Sequence, residues 1–324
     1  MQEGIVLKSL GAVYNVLTKT GETVSCTLKG NLRMKSITTT NPAVVGDTVT
    51  IDETAPNEYV ITEVATRKNY IIRRSKKLSK QFQIIASNID RVFILVTITH
   101  PKTQNSFIDR ILTTAEAYQI DAHLIFNKTD LYNDKNKADA EERLETYTNI
   151  GYPCHSVSLL DDKNAGVPDD KHVRAQNFEP LLKKLFANKV SLLCGMSGTG
   201  KSTLINHLVP GINRKTGIIS KAHKKGTHMT TFSEMIPLPG GGFIIDTPGI
   251  QEFGLADINK YELSQYFREM NLYRNKCKFN SCMHTNEPGC AVMQAVNEGK
   301  IAVSRYESYL SMLFNEGEEE VRYD

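Results

Sequence analysis

A glycine-rich segment, "GMSGTGKST" at 195–203, has the residue types and spacing that hold nucleotide phosphates. It matches the Walker A pattern and lies between an apolar run and a helix-like run, which is the setting that such a loop requires. Its backbone N–H groups can surround phosphate oxygens, while Lys201 reaches the β- and γ-phosphates and the Ser202 hydroxyl binds Mg²⁺. The predicted phosphate-binding residues are Gly195, Met196, Ser197, Gly198, Thr199, Gly200, Lys201, Ser202 and Thr203.

A second segment, "NKTD", places Asn127, Lys128, Thr129 and Asp130 upstream of the phosphate loop. The Asp130 carboxylate can accept two hydrogen bonds from guanine, whereas adenine offers no such pair of donors. Guanine is therefore the expected base. In "SVS", at the end of the next predicted strand, Ser156 is either a base-pocket residue, acting through its hydroxyl or a neighbouring N–H, or an ordinary polar strand end.

A third segment, "DTPG" at 246–249, follows an apolar run. At a strand end, Asp246 can hold Mg²⁺ through water and the Gly249 N–H can contact the γ-phosphate. The base-binding segment thus precedes the phosphate loop, which is the reverse of the usual order in GTPases. This order predicts a circularly permuted GTPase domain, since the termini of a compact domain often lie close enough to be joined.

Three cysteines and one histidine form the pattern Cys277-x4-Cys282-x-His284-x5-Cys290. Thiolate and imidazole ligands at this spacing match a closed tetrahedral zinc site, in which no coordination position is open to a substrate. The alternative, a set of unrelated buried cysteines, fits poorly with the loop-like sequence around them. We therefore predict one structural zinc ion that supplies much of the folding free energy of this region.

The overall composition is that of a globular protein, with 40% hydrophobic and 23% charged residues. No apolar run approaches the roughly 18 residues of a membrane helix, and the N-terminus lacks a signal-peptide pattern, so we expect a cytoplasmic protein. The net charge of +3 is too small to indicate a partner. Basic residues are nevertheless concentrated at 67–80, where no acidic residue occurs.

The hydrophobic pattern divides the chain into four segments. Short alternating runs at 1–66 predict a small antiparallel β-barrel, and the basic stretch at 67–81 is predicted to be a linker. From 82 to 255, strand-like and helix-like runs alternate, as in a three-layer α/β domain. Residues 256–324 have helical patterns at "INKYELSQYFREM" and "IAVSRYESYLSMLF", on either side of the cysteines.

Together these features resemble the ribosome small-subunit-dependent GTPase A family (RsgA/YjeQ) over essentially the whole chain. The resemblance rests on "NKTD", "GMSGTGKST", "DTPG" and "CMHTNEPGCAV" in this order. It implies a multidomain α/β protein with an N-terminal OB-type β-barrel, a permuted P-loop GTPase domain and a C-terminal helical zinc-binding domain. It also implies a factor that acts in late maturation of the small ribosomal subunit and leaves after hydrolysing GTP.

Two functions remain open from the sequence. One is a GTP hydrolase that binds the 30S subunit and its 16S rRNA; the other is a GTP-gated rRNA-binding scaffold in which hydrolysis is secondary. A P-loop ATPase or kinase is a third possibility, against which Asp130 argues. The candidate rRNA-binding residues, which are otherwise a solvated surface, are Arg73, Arg74, Lys76 and Lys77. We expect a monomer.

The switch segment and the residue after "DTPG" bear on catalysis. Ile250 occupies the place of the glutamine that orients water in Ras-like GTPases, so we expect slow turnover that the small subunit accelerates. The switch segment is "GTHMTT" where the family has Gly-Arg-His-Thr-Thr-Thr, and Thr230 is favoured over Thr231 as a Mg²⁺ ligand. His228 is the candidate water-positioning or proton-handling residue, with rRNA contact as its alternative role.

Overall fold

The structure is a computed structural model that describes residues 1–30, 32, 42–74, 82–159, 178–212, 214, 233–247 and 258–314. The strands are β1 Gln2–Leu10, β2 Val13–Thr18, β3 Thr23–Leu28, β4 Thr48–Ala55, β5 Glu58–Val64, β6 Tyr70–Arg74, β7 Phe82–Ser87, β8 Arg91–Val96, β9 Asp121–Phe126, β10 Cys154–Ser156, β11 Val190–Cys194, β12 Glu234–Pro237 and β13 Phe243–Asp246. The helices are α1 Asn105–Ala117, α2 Asp134–Asn149, α3 Phe178–Phe186, α4 Lys201–Leu208, α5 Arg268–Asn271, α6 Ala291–Asn297 and α7 Val303–Phe314.

Strands β1 to β5 form the N-terminal barrel. Alternate residues point inward and form a separate apolar core, which includes Val6, Tyr14, Val16 and Ile51. The strands close in the order β1-β2-β3-β5-β4, and β4 returns to β1. The barrel is confirmed, but the expectation that it is antiparallel throughout is wrong at one pair. Because β4 and β5 form a hairpin, β5 meets β3 in the parallel direction.

The stretch predicted as a basic linker contains strand β6, which pairs with β7 in a two-stranded antiparallel sheet. Its attachment to the barrel depends on Asp47, which is fully buried. The Arg67 guanidinium donates to both Asp47 carboxylate oxygens at 2.7 and 2.8 Å, and the Ser87 hydroxyl donates to the same carboxylate at 2.6 Å. The backbone of the β6 hairpin is therefore held against the barrel.

The central domain has a parallel sheet in the order β10-β9-β8-β11-β13, with β12 antiparallel at its edge. Strand β8 is buried on both faces. Val92 and Ile94 pack on the side of α1 and α2, whereas Phe93 and Leu95 pack on the side of α3 and α4. The predicted three-layer α/β arrangement is thus confirmed. Strand β12 also pairs with β1 of the barrel, which makes the two sheets continuous.

The C-terminal region matches one of its two predicted helices. Helix α7 follows the second pattern, but the first becomes a 3₁₀ turn at Leu263–Tyr266 followed by the single-turn helix α5. Phe267, between them, has an extended backbone and is fully buried against Tyr309 at a ring distance of 5.5 Å. Tertiary burial of this ring therefore interrupts a segment whose spacing alone favours a continuous helix.

Helix α7 fixes the C-terminal region to α1 of the central domain. The buried Arg305 guanidinium donates to Asp109 of α1 at 2.6 Å and to Glu269 of α5 at 2.7 Å. Removing one member of such a buried group leaves an uncompensated charge and costs about 3–5 kcal/mol. A second pair, Arg268 with Glu116, lies beside it at 2.7 Å. Within the described residues, no helix is long and apolar enough to cross a bilayer.

Candidate functional site

The predicted phosphate loop joins the end of β11 to the start of α4, as its pattern requires. Gly195 and Gly200 have φ values of 155° and 106°, which L-residues with a side chain rarely adopt. A Cβ at Gly195 would lie 2.7 Å from the Thr199 hydroxyl oxygen, and one at Gly200 would collide with the Asn127 amide nitrogen. Both glycines are therefore required by close packing as well as by backbone conformation.

The Lys201 ammonium folds back over this loop. It donates to the carbonyl oxygens of Gly195 and Met196 at 2.5 and 2.8 Å. Burial lowers the pKa of Lys201, and the nearby charge of Asp246 opposes that effect. Asp246 is near because β13 runs parallel to β11, with Asp246 opposite Leu193 just before the loop. The phosphate loop and the "DTPG" segment thus lie at one edge of the sheet.

Asn127 connects the three loops that the sequence analysis assigned to nucleotide binding. Its side-chain N–H donates to the Thr199 carbonyl oxygen of the phosphate loop at 2.8 Å, across 72 residues of sequence. Its side-chain oxygen accepts from the Leu159 backbone N–H at 3.2 Å, in the loop after β10. Asn127 itself is only 2% exposed, so these bonds are shielded from water. The reversed sequence order is consequently no obstacle to assembling one site.

Ser158, rather than Ser156, contacts Asp130. The Ser158 hydroxyl donates a short hydrogen bond to the Asp130 carboxylate, while Ser156 lies within β10 opposite Phe126. Loops that follow the carboxyl ends of parallel strands form the ligand site in such sheets, so Ser158 is a further candidate for the base pocket, while the role of Ser156 stays a prediction. Val157, between the two serines, is buried in the core under α3 and α4.

Lys128 supports the same loop from the other side. Its backbone is left-handed, with φ of 65°, and its ammonium donates to the His100 carbonyl oxygen at 2.6 Å. Burial lowers the pKa of Lys128, and the adjacent Asp130 carboxylate opposes this. The next residue, Thr129, donates its backbone N–H to the Val157 carbonyl oxygen at 3.3 Å. These contacts fix the position of Asp130 relative to the loop after β10.

Asp246 has a cationic partner that the sequence analysis missed. The Arg214 guanidinium donates to Asp246 and Glu234 at 2.5 Å each. Burial raises the pKa of Asp246, and the charges of Arg214 and Lys201 oppose that rise. The oxygen donors at this edge, the Asp246 carboxylate and the Ser202 hydroxyl, are of the hard type that Mg²⁺ prefers. The donor chemistry therefore fits Mg²⁺.

Cys277, Cys282, His284 and Cys290 form a compact cluster, with their ligand atoms within 4.8 Å of one another. The His284 Nδ1 atom is 3.6 Å from the Cys277 sulfur and 3.4 Å from the Cys290 sulfur, and these two sulfurs are 3.9 Å apart. Bonds of about 2.1–2.3 Å to a tetrahedral ion imply ligand separations of about 3.5–3.8 Å. The four residues could therefore hold one metal ion.

Helix α7 and a carboxylate hold the backbone of this cluster. The hydroxyl groups of Tyr306 and Tyr309 each donate at 2.6 Å, to the carbonyl oxygens of His284 and Met283. The Glu287 carboxylate accepts three backbone N–H groups of the same turn, at 2.7–3.1 Å. The ligand turn is thus pre-shaped by its own residues and by the helix that contacts α1.

Comparison with known proteins identifies the family of this chain. The RsgA GTPase family profile matches residues 64–256, and the RsgA N-terminal domain profile matches residues 3–61. This chain belongs to the RsgA GTPase family. The small ribosomal subunit biogenesis GTPases RsgA of Phocaeicola vulgatus and Porphyromonas gingivalis are 48% and 44% identical to it, over 99% of this chain and 98% and 99% of theirs.

Two solved structures are similar to this chain over nearly their full length. YjeQ from Thermotoga maritima superposes with a TM-score of 0.74 at 30% identity, covering 97% of this chain and 98% of that one. YloQ, described as a circularly permuted GTPase, gives 0.71 at 25% identity, covering 100% and 97%. The prediction of a permuted GTPase domain is therefore confirmed. Membership of the RsgA family makes this protein a GTPase and implies GTP together with Mg²⁺ as its ligands.

Some predicted residues of this RsgA-family protein lie outside the described part of the chain. They are His228, Thr230, Gly249, Lys76 and Lys77. Arg73 and Arg74 are described only as backbone in β6. The roles of these residues remain predictions from the sequence.

Proposed function

We propose that this protein is a cytoplasmic, monomeric GTP hydrolase that binds the small ribosomal subunit and acts in its late maturation. The names of its relatives, small ribosomal subunit biogenesis GTPases, support the assignment. The observation that carries the nucleotide part is the pair of Asn127 hydrogen bonds, which bring the phosphate loop and the base-pocket loop together. A scaffold in which hydrolysis is secondary is less well supported, since the family is one of GTPases.

We assign guanine recognition to Asp130, supported by its contact with Ser158. The carboxylate can accept hydrogen bonds from guanine N1–H and from the exocyclic amine. Because the acceptor is charged, these bonds are stronger than those to a neutral side chain. The loop at 195–203 holds the phosphates, with Asp246 and Gly249 at the γ-phosphate side. Ser202 and Thr230 are the proposed direct Mg²⁺ ligands.

We assign one structural zinc ion to Cys277, Cys282, His284 and Cys290. Three sulfur atoms and one nitrogen are soft donors that select zinc over Mg²⁺. With four protein ligands the coordination is complete, so the ion stabilises the fold rather than activating a water molecule. Metal analysis of protein purified without chelator should give about one zinc ion per chain.

We assign binding of 16S rRNA to the barrel and to the basic stretch that contains Arg73, Arg74, Lys76 and Lys77. Barrels of this type carry nucleic acid on one face, and clustered cations release counterions when they meet phosphates. Replacing the four basic residues by alanine should weaken 30S affinity and flatten its salt dependence. An unchanged slope would mean that this stretch is only a solvated surface.

The main experiment measures GTP turnover with and without purified 30S subunits. We expect slow turnover alone, because Ile250 cannot orient water, and a large acceleration on the subunit. We assign the missing role to His228, whose imidazole can position water or move a proton near neutral pH. The variant His228→Ala should lose stimulated turnover while GTP and 30S affinities persist. Unimpaired stimulation would exclude this role.

A further inference from the structure

The Arg214 side chain lies between two carboxylates that belong to different strands. One guanidinium nitrogen donates to Asp246 at the end of β13, and the other donates to Glu234 at the start of β12, both at 2.5 Å. All three side chains are partly shielded, with 25%, 14% and 37% of Arg214, Asp246 and Glu234 exposed. The planar guanidinium can make both bonds at once, which a lysine ammonium would not do with the same geometry.

The backbone of Arg214 is held by the helix that follows the phosphate loop. Its N–H donates to the Asn206 side-chain oxygen at 2.9 Å, and its carbonyl oxygen accepts from the Asn206 side-chain nitrogen at 3.0 Å. Asn206 belongs to α4, whose first residue is Lys201. The guanidinium is therefore fixed at its base by the phosphate-binding unit and at its tip by the two acids.

Arg214 occupies one side of the Asp246 carboxylate. It bonds to the Oδ2 atom, and a carboxylate keeps further lone pairs with which it could accept a hydrogen bond from metal-bound water. Carboxylates that hold metal-bound water depend on hydrogen bonds of this kind for their orientation, and losing such a bond costs about 10–100-fold in metal affinity or activity. The position of Arg214 is thus that of an orienting group for the metal side of the site.

Glu234, at the other end of this set of charged side chains, contacts the barrel. The second Glu234 oxygen lies 3.5 Å from the Lys8 ammonium, and Lys8 is the β1 residue that pairs with Glu234 where the two sheets join. Charges of alternating sign therefore run from Asp246 through Arg214 and Glu234 to Lys8. Glu234 therefore lies at the junction of the two sheets.

We propose that Arg214 is a positioning residue for the Mg²⁺ side of the nucleotide site. It orients Asp246 through Oδ2, and Glu234 in turn restrains the guanidinium at the junction with the barrel. The inference rests on the proposed role of Asp246 in holding Mg²⁺. It assigns no contact of Arg214 with nucleotide, so its effect is transmitted entirely through Asp246.

The sign of the effect separates positioning from simple charge repulsion. A cation beside the metal site repels Mg²⁺, so on charge alone the loss of Arg214 would strengthen Mg²⁺ binding. If Arg214 orients Asp246, its loss weakens Mg²⁺ binding instead. Measuring how GDP affinity depends on Mg²⁺ concentration distinguishes the two without relying on turnover.

The experiment titrates Mg²⁺ against a fluorescent GDP analogue bound to wild type, Arg214→Gln and Glu234→Gln. For Arg214→Gln we expect the half-saturating Mg²⁺ concentration to rise about tenfold, with GDP affinity in EDTA unchanged. Glu234→Gln should give a smaller rise, and the double variant should equal Arg214→Gln alone, because Glu234 acts through Arg214. Lys8→Gln is the matched control and should leave the Mg²⁺ dependence as in wild type.

An unchanged or lower half-saturating Mg²⁺ concentration in Arg214→Gln would overturn the proposal, as would additive effects in the double variant. Thermal unfolding without nucleotide checks that each variant folds. If Arg214→Gln does not fold, Arg214→Lys takes its place, since it keeps the charge but lacks the planar guanidinium that bridges the two acids in this geometry; unchanged Mg²⁺ dependence there also overturns the proposal. Failure of wild type to bind GDP would instead refute the proposed nucleotide site.

Discussion

The metal cluster and the nucleotide site are built in opposite ways. All four cluster residues fall within 277–290, and the turn between them is closed by local backbone contacts such as Cys282 N–H to the Phe279 carbonyl oxygen. The nucleotide site instead joins Asn127 to Thr199, 72 residues later, and Asp130 to Ser158 across a different loop. Sequence spacing determines the first site, whereas packing of a whole domain determines the second.

This difference predicts different responses to mutation. A closed four-ligand site loses its ion when one ligand is removed, so damage there is all or none. The nucleotide site distributes its binding energy over several loops on a rigid sheet, so each substitution there should remove one part of the affinity.

The largest effect is expected for Cys290→Ser. The Cys290 sulfur also accepts the Met293 backbone N–H at 3.4 Å as the N-cap of α6, and serine is a good N-cap. The substitution therefore preserves the cap while it removes a metal ligand. We expect zinc content near zero and loss of most of the apparent metal-binding energy, on the order of 10 kcal/mol, while GDP affinity persists. Metal analysis and thermal unfolding measure this.

Cys154→Ser is the control for that experiment. Cys154 is a half-buried cysteine in β10, far in sequence from the cluster, and its thiol donates to the Tyr152 carbonyl oxygen at 3.4 Å. Zinc content should remain about one ion per chain. Retention of zinc by Cys290→Ser would show that three ligands suffice and would remove the contrast between the two sites.

Asp130→Asn should lower GTP affinity about 100-fold, since hydrogen bonds to a charged group contribute about 1.5–3 kcal/mol. The new amide oxygen can still accept a hydrogen bond from the Ser158 hydroxyl, so the loop should keep its conformation. Xanthosine nucleotides carry a carbonyl in place of the guanine amine, and the amide can donate to it, so their affinity should rise. Equilibrium binding of both nucleotides measures the change.

Asp134→Asn, at the exposed start of α2, is the matched control for the Asp130 variant. It removes the same charge four residues away and should leave GTP affinity as in wild type. Equal loss of affinity in both variants would indicate a general electrostatic effect and would count against guanine recognition by Asp130.

Gly200→Ala should lower GDP affinity about tenfold, because the added methyl group displaces the Asn127 amide that joins the loops. Losing a buried hydrogen bond of this kind costs about 1–3 kcal/mol. Gly211→Ala is its control, since Gly211 has φ of 91° with no atom within 4 Å of an added Cβ. The control should lose stability but not affinity; equal affinities in the two variants would contradict the role of the Asn127 contact.

The smallest effect concerns His155 on β10. Burial, together with the charges of His123 and Arg91, lowers its pKa to about 4 from the usual 6.5. Between these pH values the unfolded chain binds more protons, so the group's contribution to stability falls as pH decreases from 6.5 toward 4. The free energy of unfolding, measured in urea, should fall less between pH 7 and pH 5 in His155→Gln than in wild type. The difference should be less than about 1 kcal/mol. An unaltered pH dependence would exclude this contribution.

Much of the architecture could be predicted from the sequence, and there are physical reasons why some helices and strands could not. Helix α2, which the sequence analysis did not predict, is mostly polar and buries only Arg143 and Tyr147 along its length. A surface helix of this kind has a weak hydrophobic period. The strand in the basic stretch was missed because β6 is stabilised by β7 and by the Asp47 contacts of the neighbouring Arg67, which no local pattern reveals.

The sequence by itself determined the permuted order and predicted the phosphate loop, the guanine segment and the four candidate metal ligands, because each depends on residue types at short fixed spacing. Tertiary structure decided that Ser158 rather than Ser156 faces Asp130, that Arg214 pairs with Asp246, and that Arg305 joins α7 to α1. These contacts link residues 28, 32 and 196 positions apart. Their geometry follows from how the strands and helices pack, and sequence spacing carries no record of that packing.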